Sequence, residues 1–263
     1  MSLSTLLQEV NSICVEAADR IMDVYATDFT VDKKEDCSPL TVADLASHKV
    51  ICNLLADLEP PYPMLSEESA DIPYDERKHW DRYWLIDPLD GTREFIKKNG
   101  EFTVNVALIE NHSPILGVVH VPVTGVTYFA AKGCGACKQS QGEQANRIKV
   151  KTTKEKITLA GSRSHGNEKQ QEFIKNINAD EVIAIGSSLK FCLVAEGIVD
   201  IYPRFGPTSE WDTAAAQCVV EEAGGMVVDL SFNALQYNCK ESLINPDFLV
   251  IADNSYDWKK YLK

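Results

Sequence analysis

Apolar residues recur at helical spacing from the third position onward. Leu3, Leu6, Leu7, Val10, Ile13, Cys14, Ala17, Ile21 and Met22 keep the i, i+3, i+4, i+7 rhythm, which predicts one helix over residues 3–25 with a single buried face. From Ala26 to Ser38 the chain turns polar, with Asp32-Lys33-Lys34-Glu35-Asp36, and a mobile loop is expected. Pro39 then opens a second expected helix, running to about Leu58 and burying Leu45, Val50, Ile51, Leu54 and Leu55. Trp84-Leu85-Ile86 has the apolar continuity of a strand. After it, Phe102–Ile109, Pro114–Val121 and Gly125–Ala131 read as three strands of an antiparallel meander.

Beyond Arg147 strands and helices alternate. The expected strands are Ile157–Ala160, Val182–Ile185, Val199–Tyr202, Met226–Leu230 and Phe248–Ala252; the expected helices are Glu168–Asn176, Ser188–Glu196 and Asp212–Ala223. The fold class is therefore α/β, mixed α+β first and α/β afterwards. The change of pattern suggests two subdomains, residues 1–145 and 146–263.

Where strand 84–86 ends, the sequence continues Asp87-Pro88-Leu89-Asp90-Gly91-Thr92. Pro88 has no N–H for a ladder and extends the residue before it, while Asp-Gly favours a sharp turn. Such a bend aims two carboxylates, the Leu89 carbonyl and the Thr92 hydroxyl at one point, an all-oxygen set suited to hard cations such as Mg2+. An ordinary capped turn uses the same residue types. Equally plain explanations cover Asp44, an acid near a helix N-terminus; Glu67-Glu68, a solvated edge; and Asp212, a cap or first-turn acid whose Ala214-Ala215-Ala216 neighbours imply close packing.

Composition narrows the choices. The 263 residues are 44% hydrophobic and 25% charged, as in ordinary globular proteins. No apolar run approaches the roughly 20 residues that span a bilayer, and the N-terminus has no basic leader, so a cytoplasmic protein is expected, one that in a bacterium is at most peripheral to the inner membrane. Eight scattered cysteines fit buried, reduced thiols. Cys134-Gly135-Ala136-Cys137, expected in a Gly-rich turn, lacks the second ligand pair of a structural zinc site and the helix of a redox motif. A net charge of −13 argues against nucleic-acid polymers as partners. A phosphate ester approaching clustered carboxylates would need bound divalent metal.

Asp44, Glu67-Glu68, Asp87 through Thr92, Trp211-Asp212 and Gly224-Gly225 occur together and in this order. The set resembles the signature of the lithium-sensitive, magnesium-dependent phosphatases of the inositol monophosphatase superfamily, over nearly the whole chain. Arg93-Glu94-Phe95-Ile96, Gly161-Ser162-Arg163-Ser164-His165, Gly186 through Phe191 and Tyr202-Pro203-Arg204 resemble one branch of it, the CysQ-type 3'(2'),5'-bisphosphate nucleotidases.

The resemblance implies a layered αβαβα sandwich and a monomer, with a dimer as the alternative. It implies two or three Mg2+ ions held by Glu67, Asp87, the Leu89 carbonyl, Asp90 and Asp212. Glu67 and Asp87 would serve the attacking water, which Thr92 and Asp44 orient and deprotonate, while Asp90 and Asp212 would serve the leaving side. Gly91, Thr92 and Asp212 would border the substrate. Ser162 and His165 would lie along the nucleoside, and Ser187, Lys190 and Arg204 would hold the nucleotide and its 5'-phosphate. The implied reaction is hydrolysis of the 3'-phosphate of adenosine 3',5'-bisphosphate (PAP), and possible action on its sulfated relative PAPS, linked to sulfate assimilation. An inositol monophosphatase with the same metal chemistry, a non-catalytic nucleotide-binding relative and, more distantly, a redox or zinc protein built on Cys134 and Cys137 are the alternatives.

Overall fold

The computed structural model describes residues 2–28, 31–33, 39–162 and 168–262. Helix α1 (Leu3–Tyr25) starts at Ser2, whose side chain accepts from the Thr5 N–H, and buries Leu6, Val10, Ile13, Ala17 and Ile21 along one stripe. Short strands β1 (Val31–Lys33) and β2 (Pro39–Thr41) pair antiparallel. The second helix therefore does not begin at Pro39. Residues 39–41 find a backbone partner in β1, and α2 (Val42–Ala56) starts after a capping box in which Thr41 and Asp44 satisfy each other's backbone. Residues 29, 30 and 34–38 of the expected loop lie outside the described residues.

The buried stripe of α2 is Ala43, Asp44, Ser47, Ile51 and Leu55. Leu45, expected inside, is exposed. The phase of this helix is set by buried polar residues in its first half, which an apolar pattern misreads.

The chain continues through β3 (Met64–Ser66), a 3-10 turn at Glu67–Ser69, α3 (Tyr74–Arg77), β4 (Arg82–Asp90), α4 (Thr92–Ile96), β5 (Thr103–Glu110), β6 (Ser113–Val121), β7 (Val126–Ala131), β8 (Gly135–Gln139) and β9 (Asn146–Arg147). Strands β3 to β9 form a seven-stranded sheet in sequence order, parallel between β3 and β4 and antiparallel from there on. The meander thus has more strands than expected, and Cys137 lies within β8 instead of a turn.

The second sheet is built from β10 (Thr158–Ser162), β11 (Glu181–Ile185), β12 (Ile201–Arg204), β13 (Met226–Asp229) and β14 (Phe248–Ile251), in the order β11-β10-β12-β14-β13. Between them run α5 (Glu168–Ile177), α6 (Leu189–Ala195) and α7 (Glu210–Glu222). Strand β10 is parallel to both neighbours, whereas β14 is antiparallel to both of its own.

Strand alternation explains the layering. Along β4 and β5, Trp84, Ile86, Val104, Val106 and Leu108 pack with α1 and α2, while Tyr83, Leu85, Ala107 and Ile109 pack with α6, α7 and the second sheet. A third cluster joins the far face of the second sheet to Phe173 and Ile177 of α5 and to Trp258. The result is the expected α-β-α-β-α sandwich. Helix α7 lies very close to the first sheet: a methyl group at Gly117 would sit 2.2 Å from the Ala215 carbonyl oxygen. The alanines of α7 and a glycine of β6 are small because two backbones meet there. Asp87 is on the same face as Tyr83 and Leu85, by the period of two, and so points toward α7.

Candidate active site

Strand β4 pairs regularly with β5 up to Asp87↔Asn105, then shifts register before Asp90↔Thr103. The extra residue is a bulge holding Pro88, a position where the missing N–H costs no ladder bond. Asp87 is buried, and its Oδ1 accepts from the Leu89 N–H at 3.1 Å. The Pro88 carbonyl accepts from the buried Ser47 hydroxyl at 2.7 Å. Gly91 follows with φ +93°, and a side chain there would press the Glu101 carbonyl, 3.1 Å from the would-be methyl. This left-handed residue turns the chain into α4, placing Thr92 at its first position.

Thr92 Oγ1 donates to Asp44 Oδ1 at 3.1 Å. The other oxygen of Asp44 accepts from the Thr41 N–H at 2.8 Å and the Thr41 hydroxyl at 2.6 Å. Asp44 therefore closes the capping box with Thr41 and, through its other oxygen, is the partner of the Thr92 hydroxyl.

Asp212 is the third residue of α7, and the cap is Ser209, whose N–H reaches Asp212 Oδ2 at 2.9 Å. The close fit of α7 on the first sheet brings this carboxylate to the end of β4. Oxygens of Asp87, Asp90 and Asp212 lie within 4.8 Å of one another, the one such grouping of potential metal ligands among the described residues. Glu67, at the start of the 3-10 turn after β3, lines the same cavity. Burial, and then the neighbouring charges of Glu67, Asp90 and Asp212, push the Asp87 carboxyl well above the usual carboxylate range. Burial, followed by Asp90 and Glu67, does the same to Asp212. Carboxylates converging at this spacing repel one another, and an all-oxygen donor set fits a hard divalent ion.

The same cavity also carries basic side chains. Its volume is about 340 Å³, and Lys190 and Arg204 line it together with the four acids. Lys190 is buried, donates to the Ser187 and Ile185 carbonyls and lies 5.3 Å from the Tyr202 ring centre. Burial pushes its ammonium down to about 8. Arg204 Nη2 donates to the Pro207 carbonyl at 2.9 Å.

Of the residues singled out in the sequence, Glu67, Asp87, Leu89, Asp90, Gly91, Thr92, Ser187, Lys190, Arg204 and Asp212 all border this one cavity. Asp44 stands behind Thr92. Ser187 has φ +54°, and its hydroxyl lies 2.7 Å from Asp90 Oδ2 and 2.6 Å from Thr103 Oγ1, so it is committed to a carboxylate. Ser162 ends β10, while Arg163, Ser164 and His165 lie outside the described residues. Sequence reasoning passed over Ser188, whose N–H and hydroxyl lie 2.7 and 2.9 Å from Asp90 Oδ2, and Ser47 and Asn105. The Ser187-Ser188 doublet ahead of a helix was the one local signal. Seven described cysteines are free, and only Cys14, Cys192 and Cys218 are buried, fewer than expected.

The sequence profile described as "Inositol monophosphatase family" matches residues 2–262. The chain belongs to the inositol monophosphatase family. Within it, the chain is 46% identical over 253 residues to the 3'(2'),5'-bisphosphate nucleotidase CysQ of Salmonella typhimurium, covering 93% of this chain and 99% of that one. Among solved structures of the family, the crystal structure of CysQ from Bacteroides thetaiotaomicron superposes with a TM-score of 0.84 at 38% identity, covering 95% and 98% of the two chains. An inositol monophosphatase of Thermotoga maritima gives 0.78 at 26% identity, covering 96% of this chain and 94% of the other. No helix among the described residues is long and apolar enough to cross a membrane.

Proposed function

We propose that this chain is a 3'(2'),5'-bisphosphate nucleotidase that hydrolyses the 3'-phosphate of PAP to give AMP and phosphate, acts also on PAPS, and works in the cytoplasm as a monomer beside sulfate assimilation. The observation that carries this reading is one cavity lined both by a carboxylate cluster and by Lys190 and Arg204, in a chain with full-length CysQ relatives. A bisphosphate needs both: a reacting phosphate at the acids and a second, unreacted phosphate at the bases. A monophosphate needs only the first.

Glu67, Asp87, Asp90, Asp212 and the Leu89 carbonyl would hold Mg2+, two or three ions in number. When bound, such ions offset the carboxylate charge, lower the pKa of water and stabilise a leaving oxygen. Thr92 Oγ1 donates a hydrogen bond to Asp44 and accepts one from the water, turning the water oxygen toward phosphorus; as that oxygen attacks, the water proton passes to Thr92 and the Thr92 proton to Asp44. Asp44 is the base behind it. As the water oxygen bonds to phosphorus, the bond from phosphorus to the 3' oxygen breaks, and a water beside Asp212 returns a proton to the ribose. Lys190 and Arg204 hold the 5'-phosphate throughout, and Ser162 and His165 run along the nucleoside. Residues 1–145 supply the attacking side, and residues 146–263 supply Asp212 and the nucleotide contacts.

The testing experiment is phosphate release from PAP, PAPS, inositol 1-phosphate and fructose bisphosphate with Mg2+, repeated with added Li+. PAP is expected to lead the panel and Li+ to inhibit. Preference for inositol 1-phosphate would move the chain to the monophosphatase branch, and bound nucleotide without phosphate release would make it a binding protein.

A further inference from the structure

We propose that Ser47 and His48, consecutive residues of α2, are positioning residues that hold the segments carrying Asp87 and Glu67 at the mutual spacing a metal site requires. The inference rests on the metal-site reading above and adds to it two residues outside the cavity. Neither side chain is among those lining it.

A serine within a helix ordinarily returns its hydroxyl to the carbonyl one turn back. Ser47, fully buried, instead donates to the carbonyl of Pro88, 41 positions along the chain. Pro88 lies in the β4 bulge, where its carbonyl is out of ladder register with β5. With this carbonyl tied to α2, the Pro88–Leu89 peptide plane is held, and the fixed φ of the proline ring couples that plane to the preceding Asp87. A buried acceptor deprived of its donor favours rotation toward any other donor, and here that rotation would swing Asp87.

His48 performs the same task for the neighbouring strand. Its Nδ1 lies 2.9 Å from the hydroxyl of Ser66, which is fully buried. Ser66 is the cap position of the 3-10 turn that begins with Glu67, yet its side chain makes no capping bond. The turn is thus anchored sideways, to α2, rather than to its own backbone. Cys52, one turn further along α2, packs its Sγ 3.6 Å from His48 Nδ1. Counting Asp44, which holds Thr92, one helix face tethers three separate segments of the site through Asp44, Ser47 and His48. A rigid rod with three attachments fixes distances that the loops alone would leave loose.

The test uses full-length protein and Mn2+ as the calorimetric probe, with S47A, H48A, H48N and D90N. Asn is the rescuing variant because its amide reaches Ser66 from about the position of Nδ1 and either donates or accepts. S47A and H48A are expected to weaken Mn2+ binding about 10-fold and to raise the Mg2+ needed for half-maximal phosphate release in proportion. KM for PAP at saturating Mg2+ should stay within about twofold, and H48N should recover most of the loss. Unchanged Mn2+ affinity in S47A and H48A beside a weakened D90N overturns the positioning role alone, as does a fall in melting temperature in EDTA without loss of affinity. Loss in only one of S47A and H48A, or H48N no better than H48A, also overturns it. Parental Mn2+ affinity in D90N overturns the metal-site reading and this inference with it.

Discussion

Ser188 donates its backbone N–H to Asp90 Oδ2 at 2.7 Å, so a residue from the start of α6 sets the orientation of a carboxylate at the end of β4. The hydroxyls of Ser187 and Ser188 lie 2.7 and 2.9 Å from the same oxygen, and Asn105 Nδ2 reaches it at 3.5 Å. All of these bonds fall on Oδ2. Under the proposed metal site, Oδ1 is the oxygen that Asp90 offers to a cation. Catalytic metal sites owe much of their precision to such supporting bonds.

Asp90→Asn keeps the hydrogen-bond acceptor for the two serines but removes the charge. Turnover is expected to fall by at least about 10^2- to 10^3-fold, the scale of losing one transition-state stabiliser. Phosphate release measured beside a circular dichroism melt checks this, with the melt expected to stay close to that of the parent. Near-normal turnover would remove Asp90 from the metal site.

Thr92→Val replaces the hydroxyl bound to Asp44 with a methyl of similar volume. Loss of a positioned proton relay is expected to lower kcat by about 10^2- to 10^4-fold with little change in KM. Steady-state kinetics at saturating Mg2+ make the comparison. A rise in KM at constant kcat would instead make Thr92 a binding residue.

Lys190→Ala is expected to raise KM for PAP by on the order of 10-fold or more, since a hydrogen bond to a charged group contributes about 1.5–3 kcal/mol. KM for a 3'-monophosphate should barely move. Burial lowers the Lys190 pKa to about 8, so the ammonium carries its charge below that pH and loses it above. kcat/KM for PAP should therefore fall as pH rises through about 8, and the variant should lack that limb. Equal effects on both substrates would take Lys190 away from the 5'-phosphate.

His120 offers a pH effect remote from the site. It is buried in β6, its Nδ1 is 2.8 Å from Thr127 Oγ1, and burial pushes its pKa from 6.5 down to about 4. The unfolded chain takes up this proton first as pH falls, so stability is complete above about 6.5 and declines toward 4. The decline totals about 3 kcal/mol, of which about 2 is gone by pH 5. Urea unfolding of the parent and His120→Gln at pH 7 and pH 5 reads this directly, with the variant expected to lack that part of the slope.

Gly117→Ala tests the contact between α7 and the first sheet. The added methyl would meet the Ala215 carbonyl oxygen at 2.2 Å, so backbone must move, at a cost of about 1–3 kcal/mol or more. Thermal melting is expected to drop by several degrees. Activity should fall further than stability does, because Asp212 rides on the helix that is displaced. An unchanged melt would show that the layers part without strain.

Much of the sandwich can be read from periodicity, because α1 and most strands of the two sheets, β11 with its exposed Val182 excepted, bury apolar residues on the faces their spacing dictates. The second helix could not be phased that way. Its buried stripe includes Asp44 and Ser47, and polar residues inside a protein leave no apolar rhythm to follow. The proposed site residues were picked out as an ordered set, since each alone is an ordinary turn or cap residue; Asp44 also closes a capping box with Thr41. Ser47, His48 and Ser188 stayed hidden for a different reason. Their partners are Pro88, Ser66 and Asp90, so their roles exist only once distant segments are brought together.

Helix α7 touches both sheets and carries Asp212 to the end of β4, while the Ser187-Ser188 pair reaches Asp90 from just ahead of α6. Chain order gives this arrangement a consequence during synthesis. A ribosome that has released the entire first sheet has made Glu67 and a strand end with two carboxylates, but neither the Ser187-Ser188 pair that orients Asp90 nor Asp212. The centre closes only when residues beyond Asp212 have emerged and α7 can lie down on Gly117. Chains cut short before that point should carry the recognisable front of the site without the metal and nucleotide binding proposed for the finished protein.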